Sequence, residues 1–335
     1  RLVCFEDFGP TVLSLAGAET LPAFMRGQPF IGPLAKGKRE YVFGHRDRVD
    51  EIMDLSRSVR NRNYLYIRNF MPHLGWNQQN AWCDQGEIRD AFYDAAESGT
   101  ATEAQMQYLR ASRPREELYD CVADPLNLTN LADRPEQSKN IDTLRAAMDQ
   151  HLRQSHDLGF VHEIDLWQVS AGSTPIQWGQ DHQEYIDAAR RAAMSLIRKD
   201  PQEILKHLND PNASVRYWGC IGCRGSFPLT TELTEKLTEL LEDRSAAVQI
   251  EAAGALAESD VAGAGSRNAA RKKLVRLLKH SDTTVLLHAA RTVELLADPH
   301  FREPMQRLAD SYAEAPGDMA WFIRFSTSGY LNRLK

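Results

Sequence analysis

The sequence is poor in long apolar runs, in surplus positive charge and in cysteine. It has no run of roughly 18 apolar residues, the length that a transmembrane helix requires. Basic residues number 40 against 46 acidic ones, and the net charge of −6 gives no electrostatic case for nucleic acid as a partner. The five cysteines are odd in number and irregularly spaced, which argues against a disulfide framework.

The remaining composition is that of an ordinary globular protein. Hydrophobic residues make up 42% and charged residues 26%. With 335 residues the chain is long enough for two or three domains. It begins Arg1-Leu-Val-Cys-Phe5, without an initiator methionine or a signal peptide, so we expect a fragment whose true N-terminus lies elsewhere. The sequence therefore does not indicate a cellular compartment.

A period-two pattern runs through residues 57–70. Tyr64, Tyr66 and Arg68 fall on one face, whereas the intervening residues fall on the other. The pattern predicts a hairpin within an antiparallel sheet of about four short strands, with an amphipathic helix at 138–155 across one face. The predicted strands lie at 40–44, 55–60, 64–69 and 117–120. A long excursion at 71–116 is rich in aromatic residues and is expected to pack on another surface.

The C-terminal half contains a repeat. Val215, Val248 and Val285 stand 33 and 37 residues apart. Each follows a leucine by seven positions, with an aspartate between them, and precedes small residues by four and five positions. The pattern predicts pairs of helices that stack because no pair can bury its apolar face alone. It resembles HEAT repeats, best at Leu208-Asn-Asp-Pro-Asn-Ala-Ser-Val-Arg216.

Two motifs have competing chemical and structural interpretations. Cys220-Ile-Gly-Cys223 matches CxxC, but no second pair or nearby histidines complete a metal site, so both cysteines are interpreted as core residues. His45, Arg46 and Arg48 form a polar cluster at a strand end. It is either a solvated loop or a site where guanidinium groups bind sulfate or phosphate oxygens. His73 is either a pocket residue or a surface residue.

Three sequence blocks follow one another in the first 158 residues. They are Phe5-Glu-Asp-Phe-Gly-Pro-Thr-Val-Leu-Ser-Leu-Ala-Gly17, then Arg57-Ser-Val-Arg60 with Tyr64-Leu-Tyr-Ile-Arg-Asn69, then Glu117-Leu-Tyr-Asp-Cys-Val-Ala-Asp-Pro125 with Asn130-Leu-Ala132. In type and order they resemble the C-terminal region of the sulfatase family, and most closely the N-sulfoglucosamine sulfohydrolase branch and related bacterial sulfatases. Bacterial members with a HEAT-like tail would account for the second half.

The resemblance implies an α+β fold: a small antiparallel β-sheet with a packed helix, the sulfatase C-terminal subdomain, followed by an all-α HEAT-like solenoid. It implies the following division of the chain: the tail of a truncated sulfatase catalytic α/β domain at 1–39, the antiparallel subdomain at 40–158, a linker at 159–179 and the solenoid at 180–335.

The resemblance also implies chemistry that this sequence lacks. Sulfatases use a formylglycine made from Cys or Ser in C/S-x-P/A-x-R, and a divalent cation, usually calcium. No such motif occurs here; Ser112-Arg-Pro-Arg-Glu116 comes nearest but has Glu where Arg is required. No catalytic or metal residue is therefore expected in this chain, and its partner would be a missing N-terminal catalytic domain. His45, Arg46, Arg48 and His73 are the candidate residues for binding an anionic sulfated sugar.

The expected function is thus that of the C-terminal part of a sulfatase, inactive alone, from a parent exported to the periplasm or beyond. Two alternatives stay open. One is a scaffold that recruits a protein through the solenoid. The other is a phosphoesterase of the alkaline-phosphatase-like superfamily. No membrane span is expected in any of the three cases.

Overall fold

The computed structural model describes residues 1–196, 200–225 and 227–334. Contacts divide the chain into two compact units, and neither is continuous in sequence. The first comprises 1–46, 56–69 and 114–154, and the second comprises 47–55, 70–113 and 155–335. Segments 47–55 and 70–113 lie inside the predicted subdomain at 40–158, yet they belong to the second unit.

The first unit holds four strands and two helices, and the second unit holds the remaining helices. The strands are β1 Val42–Arg46, β2 Ser56–Arg60, β3 Tyr64–Asn69 and β4 Glu116–Asp120. The helices of the first unit are α1 Phe8–Leu15 and α4 Ser138–Ser155. Those of the second unit are α2 Ile88–Glu97, α3 Glu103–Tyr108, α5 Glu163–Val169, α6 Pro175–Asp181, α7 Gln183–Ser195, α8 Pro201–Leu208, α9 Ala213–Gly222, α10 Thr231–Leu240, α11 Ala246–Glu258, α12 Ala264–Leu277, α13 Thr283–Leu296, α14 Arg302–Tyr312 and α15 Asp318–Arg333.

The four strands form one antiparallel sheet in the order β1-β2-β3-β4. In its register, Val59 lies opposite Tyr66, and Tyr66 lies opposite Leu118. All three side chains are buried on the apolar face of the sheet. The predicted turn at 61–63 closes the hairpin, where the Asn61 backbone N–H donates to the Tyr64 carbonyl at 3.0 Å. The mixed fold with a small antiparallel sheet is therefore confirmed.

The last sequence block of the first unit has a structural role beside β4. The Asn130 side chain accepts a hydrogen bond from the Leu118 backbone N–H at 2.9 Å and donates to the Glu116 carbonyl at 3.1 Å. Asp124, after β4, accepts hydrogen bonds from two backbone N–H groups of the following loop. Asn130 thus satisfies backbone groups of β4, which is an outer strand of the sheet in the described residues, and Asp124 satisfies those of the loop.

Helix α4 lies against the sheet and contacts both of its outer strands. At one side, the ring of His151 stacks on Phe43 of β1 with the centroids 3.8 Å apart. At the other side, Arg145 forms a bidentate ion pair with Glu116 of β4, at 2.6 and 2.7 Å. The helix buries four apolar residues at helical spacing, which are Ile141, Leu144, Met148 and Leu152. This amphipathic pattern is the one that the sequence predicts.

The segment predicted to be a linker, 159–179, contains α5 and most of α6. The His162 side chain accepts a hydrogen bond from the Ile164 backbone N–H and caps α5. Thr174 caps α6 in the same way, and Pro175 occupies its first turn. Gly172, with a φ of +90°, separates the two helices. Helices this short contain too few turns for hydrophobic periodicity to reveal them.

The repeated valines occupy equivalent places in the second unit. Val215, Val248 and Val285 are each the third residue of their helices α9, α11 and α13, and each is buried. A side chain caps each of these helices at its start, namely Asn212, Ser245 and Asp282. Contacts link α8 with α9, α10 with α11, and α12 with α13. The assignment of these pairs to a HEAT-like solenoid stays a prediction, and residues 197–199, 226 and 335 of the predicted range lie outside the described part.

A salt bridge connects two successive pairs. Arg216, which follows the first repeated valine, donates to both carboxylate oxygens of Asp243 at 2.7 and 2.8 Å. Asp243 lies in the turn between α10 and α11, so the arginine of one pair anchors the turn of the next.

The aromatic excursion packs on the C-terminal helix of the same unit. Trp82 stacks on Trp321 of α15 with ring centroids 6.0 Å apart and nearly parallel planes, and Phe325 meets the same indole edge-on. Within the described residues, no helix combines the length and the apolar character needed to cross a membrane.

Candidate functional site

A cavity of about 330 Å³ lies within the second unit. Its walls come from segments 47–55 and 71–74, from α5 and the residues before it, and from helices α9, α11 and α13. The apolar part of the lining includes Leu55, Met71, Leu74, Val161, Trp218 and Ile221, and the polar part includes Arg48, His162, Glu163, Arg224, Glu251, His288 and Arg291. An apolar cavity with a few convergent polar groups is the usual form of a small-molecule site.

The repeat places three cavity residues at one equivalent position. Trp218, Glu251 and His288 each follow a repeated valine by three residues and lie on α9, α11 and α13. Ile221 and Arg291, three residues further along α9 and α13, also line the cavity. One face of successive helices therefore supplies one wall.

A chain of four hydrogen-bonded side chains crosses the polar part of the cavity. The Nε2 atom of His162 lies 3.1 Å from Nδ1 of His288. The Nε2 atom of His288 lies 3.4 Å from Oε2 of Glu163. Arg48 donates from Nε and Nη2 to the two oxygens of Glu163 at 2.5 and 2.8 Å. We call these four residues the His–Glu–Arg chain.

The hydrogen bonds fix the tautomers of both histidines. His162 Nδ1 accepts from the Ile164 backbone N–H at 3.2 Å, so this nitrogen carries no proton. The proton of the neutral ring is then on Nε2 and is donated to His288 Nδ1. His288 must carry its own proton on Nε2, which is donated to the Glu163 carboxylate. Two neutral imidazoles and one carboxylate therefore satisfy every bond in the chain.

The protonation preferences agree with this assignment. Burial lowers the pKa of both His162 and His288, because it removes water that would otherwise solvate the charged ring. Burial alone would raise the pKa of Glu163, but hydrogen bonds from His288 and Arg48 lower it below the usual range of a carboxyl group. The chain is thus neutral at its histidine end and ionised at Glu163 and Arg48.

The two other arginines that line the cavity are paired with carboxylates of the protein. Arg224 donates to Glu251 at 2.9 Å and to Glu258 at 3.1 Å. Burial raises the pKa of Glu251 in spite of this arginine. Arg291 donates to Glu294 at 2.7 Å, with both side chains almost fully buried. Since each arginine has a carboxylate partner, the cavity does not present a bare positive charge.

The aromatic lining combines two fixed rings with an accessible one. Trp218 is buried, and its indole N–H donates to the Phe160 carbonyl at 2.9 Å. Tyr217 is also buried and packs on the ring of His162 with centroids 4.8 Å apart. Trp167 of α5, in contrast, is 59% exposed. It offers an apolar face that a ligand in the cavity can cover.

The sequence-based candidates occupy different places. Arg48 and His73 both line this cavity. His45 and Arg46 are exposed residues at the end of β1, in the first unit. The structure thus brings two of the four candidates to one cavity. A role in sugar binding stays a prediction for all four.

The CxxC pair lies in the core, as the repeat alignment predicts. Cys220 and Cys223 are buried, and burial raises the pKa of both thiols, that of Cys223 to about 12. A thiol held in this protonated form is a poor nucleophile and metal ligand.

Within the described residues, one group of possible metal ligands comes together, formed by Cys4, Glu6 and Asp7 of the first unit. The Asp7 carboxylate already accepts hydrogen bonds from the backbone N–H groups of Cys4 and Gln28 at 2.9 and 2.7 Å, and it pairs with Arg39. Calcium prefers six to eight oxygen ligands, so this group does not fit the calcium that the sulfatase resemblance implies.

Sequence reasoning missed most of the polar residues of the cavity. His162 and Glu163 fell in the supposed linker, and Glu251, His288 and Arg291 were included in the repeat only by position. A signal was available, because these last three are polar residues on helices whose other faces are almost wholly apolar and small. Polar groups in such helices are expected to have partners or a ligand.

Comparison with known proteins gives a partial match. No protein-family model matches the chain. Two proteins of Formosa agariphila, each described as an ulvan-active sulfatase, are similar to it. The first is 34% identical over 166 residues, which are 50% of this chain and 28% of the relative. The second is 32% identical over 144 residues, which are 41% of this chain and 26% of the relative.

The chain therefore contains a sulfatase-like region. It spans less than a third of the length of the curated relatives that it matches.

Proposed function

We propose that this chain is the C-terminal part of a sulfatase that hydrolyses sulfuric esters on a sulfated polysaccharide. The observation that carries the proposal is the 34% identity over 166 residues to an ulvan-active sulfatase. The three sequence blocks of the first unit support it, since they follow the order of the sulfatase C-terminal region.

In this proposal the bond-breaking groups lie outside the 335 residues. The sequence contains no C/S-x-P/A-x-R motif, and the ligand group at Cys4 and Asp7 does not fit calcium. The formylglycine and the divalent cation are thus assigned to a catalytic domain that this sequence does not include. We expect the chain alone to release no sulfate.

The contribution of this chain is proposed to be contact with the sugar, and the cavity of the second unit is the candidate place. Arg48 and His73 line it, and Trp167 offers an exposed aromatic face. Because Arg48 is already paired with Glu163, we expect it to present remaining N–H groups to sugar oxygens rather than an uncompensated charge. His45 and Arg46 are kept in the proposal as residues that steer the anion.

The test begins with the coding sequence ahead of Arg1. A C/S-x-P/A-x-R motif there, together with sulfate release from a sulfated polysaccharide by the complete product, would support the sulfatase. A Ser or Thr nucleophile with two zinc sites would indicate a phosphoesterase instead. The absence of both would leave the protein-binding scaffold as the better account.

The role of the candidate sugar-binding residues is tested separately in the complete enzyme. Arg48→Ala and Arg46→Ala are expected to lower kcat/KM on the polymer, by tenfold or more for Arg48, which corresponds to about 1.4 kcal/mol of transition-state stabilisation. Arg307→Ala, on the exposed face of α14, serves as the control. An unchanged kcat/KM in both variants would remove these residues from the proposal while leaving the sulfatase assignment in place.

A further inference from the structure

A second cavity lies in the first unit, at the turn between β2 and β3. Its volume is about 620 Å³, and it is open and polar. Five basic side chains line it, together with one carboxylate, Glu40, two asparagines and a leucine. The basic residues are Arg1, Lys38, Arg39, Arg60 and Arg62. We call this set the basic cavity.

The turn that carries Arg60 and Arg62 is held by its own hydrogen bonds. The side-chain oxygen of Asn61 accepts from the backbone N–H groups of Asn63 at 2.9 Å and Tyr64 at 2.7 Å. The Asn61 N–H donates in turn to the Tyr64 carbonyl. Such a turn presents its two arginines from a fixed backbone, which lowers the entropy cost of binding.

Most of the positive charge of the basic cavity is not compensated. Arg39 is the exception, because it pairs with Asp7. Lys38, Arg60 and Arg62 are exposed and form no salt bridge within the part of the chain that the structure describes. The guanidinium group of Arg1 donates to backbone carbonyls, which do not cancel its charge.

The local charge is opposite in sign to that of the whole chain. With five basic residues and one acidic residue the lining has a formal charge of +4, whereas the protein carries −6. A polyanion is repelled by most of such a surface and attracted at this point. Guanidinium groups bind the oxygens of sulfate bidentately, and a sulfate ester keeps its charge at all physiological pH values.

We propose that the basic cavity is a binding site for a sulfated polysaccharide chain, in which Lys38, Arg60 and Arg62 bind the sulfate groups. The identity of the polymer rests on the proposed function. The site itself rests on the charge and geometry of the first unit. Several separated cations around an open cavity suit a chain with repeated sulfates better than a single ion.

The test compares two variants of the complete protein, each of which loses three positive charges. Lys38→Gln/Arg60→Gln/Arg62→Gln removes the exposed cations of the basic cavity. Lys139→Gln/Lys272→Gln/Lys279→Gln removes three exposed lysines elsewhere and is the matched control. Binding of dextran sulfate and of uncharged dextran is measured by isothermal titration calorimetry at two salt concentrations, and circular dichroism checks that each variant folds.

We expect the basic-cavity variant to bind dextran sulfate at least tenfold more weakly than the wild type, and the control to stay within threefold. Affinity of the wild type should fall as salt rises, because exposed charges are screened, and uncharged dextran should not bind. Equal binding by the two triple variants would overturn the proposal. If the basic-cavity variant does not fold, Arg62→Glu replaces it, with the same tenfold criterion.

The outcomes separate this proposal from the proposed function. If the basic-cavity variant loses polymer binding but the complete protein releases no sulfate, the binding site is supported and the sulfatase assignment is rejected. If the complete protein releases sulfate but the basic-cavity variant binds the polymer as the wild type does, the sulfatase assignment is supported and the proposed binding site is rejected.

Discussion

The rings of His162 and His288 meet edge-on, with Nε2 of the first 3.1 Å from Nδ1 of the second. The contact joins the N-cap of α5 to the middle of α13. It has room for one proton between the rings. The two neutral rings together carry two protons, one on each Nε2. A third proton would have to lie on His162 Nδ1, which accepts from the Ile164 N–H, so the cap of α5 would be lost.

Stability is therefore expected to fall on mild acidification. Burial lowers the pKa of both histidines in the folded state, so the unfolded chain takes up protons first. The stability that comes from keeping the rings neutral is fully present above their unfolded pKa of about 6.5 and is lost as the pH falls below it, by up to about 1.4 kcal/mol per pH unit for each histidine. Urea unfolding at pH 7.5, 6.5 and 5.5 measures the slope.

The comparison for this prediction is between two single variants. His288→Gln should reduce the slope of the unfolding free energy against pH by an amount that corresponds to up to one proton, because one titrating group is removed. His300→Gln, the same substitution at an exposed position, is the matched control. Part of the slope will remain in either variant, since burial also lowers the pKa of His207. Equal slopes in the wild type and His288→Gln would show that the pair does not control the acid response.

The ion pair between Arg48 and Glu163 is expected to contribute measurably to stability. Both side chains are about three-quarters buried, and Glu163 also accepts from His288. Arg48→Gln should lower the free energy of unfolding by about 1–3 kcal/mol, because it leaves a partly buried carboxylate with fewer donors. Arg307→Gln breaks an exposed pair on α14 and should cost less than about 1 kcal/mol. A smaller effect for Arg48 than for Arg307 would show that the Arg48–Glu163 pair contributes no more to stability than an exposed pair.

Much of the architecture was predictable because its signals are local. Period-two alternation located β2 and β3 to within one residue, since side chains of a half-buried strand must alternate. Aligning Val215, Val248 and Val285 located the third residue of three helices, because a small-residue face recurs wherever helices pack closely. A pattern that each segment carries in its own residues needs no knowledge of the rest of the chain.

The candidate site was much less predictable, because it depends on contacts between distant segments. Arg48 meets Glu163 across 115 positions, and His162 meets His288 across 126. Nothing in the spacing of these residues indicates which partner each one has. The division into units follows the same rule: segments 47–55 and 70–113 join the helical unit through such long-range contacts, although they interrupt the strands in sequence.

The cysteines of the CxxC pair are expected to be unreactive in the folded protein. Both are buried with a raised thiol pKa, whereas Cys83 is exposed. Brief treatment with iodoacetamide at pH 8, followed by peptide mass spectrometry, should modify Cys83 and leave Cys220 and Cys223 unmodified. In urea all five cysteines should react. Rapid modification of either core cysteine in the folded protein would instead support a redox or metal-binding role for the motif.

Ser245 is expected to contribute more to stability than an ordinary helix cap, because its hydroxyl has two functions. Its Oγ accepts from the Val248 backbone N–H at the start of α11, and it donates to the buried carboxyl group of Asp165 at 2.8 Å. Burial raises the pKa of Asp165, and this hydrogen bond from Ser245 opposes the rise.

Ser245→Ala should therefore cost about 1 kcal/mol for the cap and a further 1–3 kcal/mol for the buried carboxyl group that loses its donor. Thr230→Ala removes the cap of α10, where the hydroxyl accepts from the Leu233 N–H, and should cost only about 1 kcal/mol.

Urea unfolding at pH 7.5 compares the two variants, with Asp165→Asn/Ser245→Ala as the third. If the Asp165 contact is the source of the difference, the double variant recovers part of the loss, since a neutral amide costs less to bury unpaired than a carboxylate. Equal losses for Ser245→Ala and Thr230→Ala would limit Ser245 to its capping role.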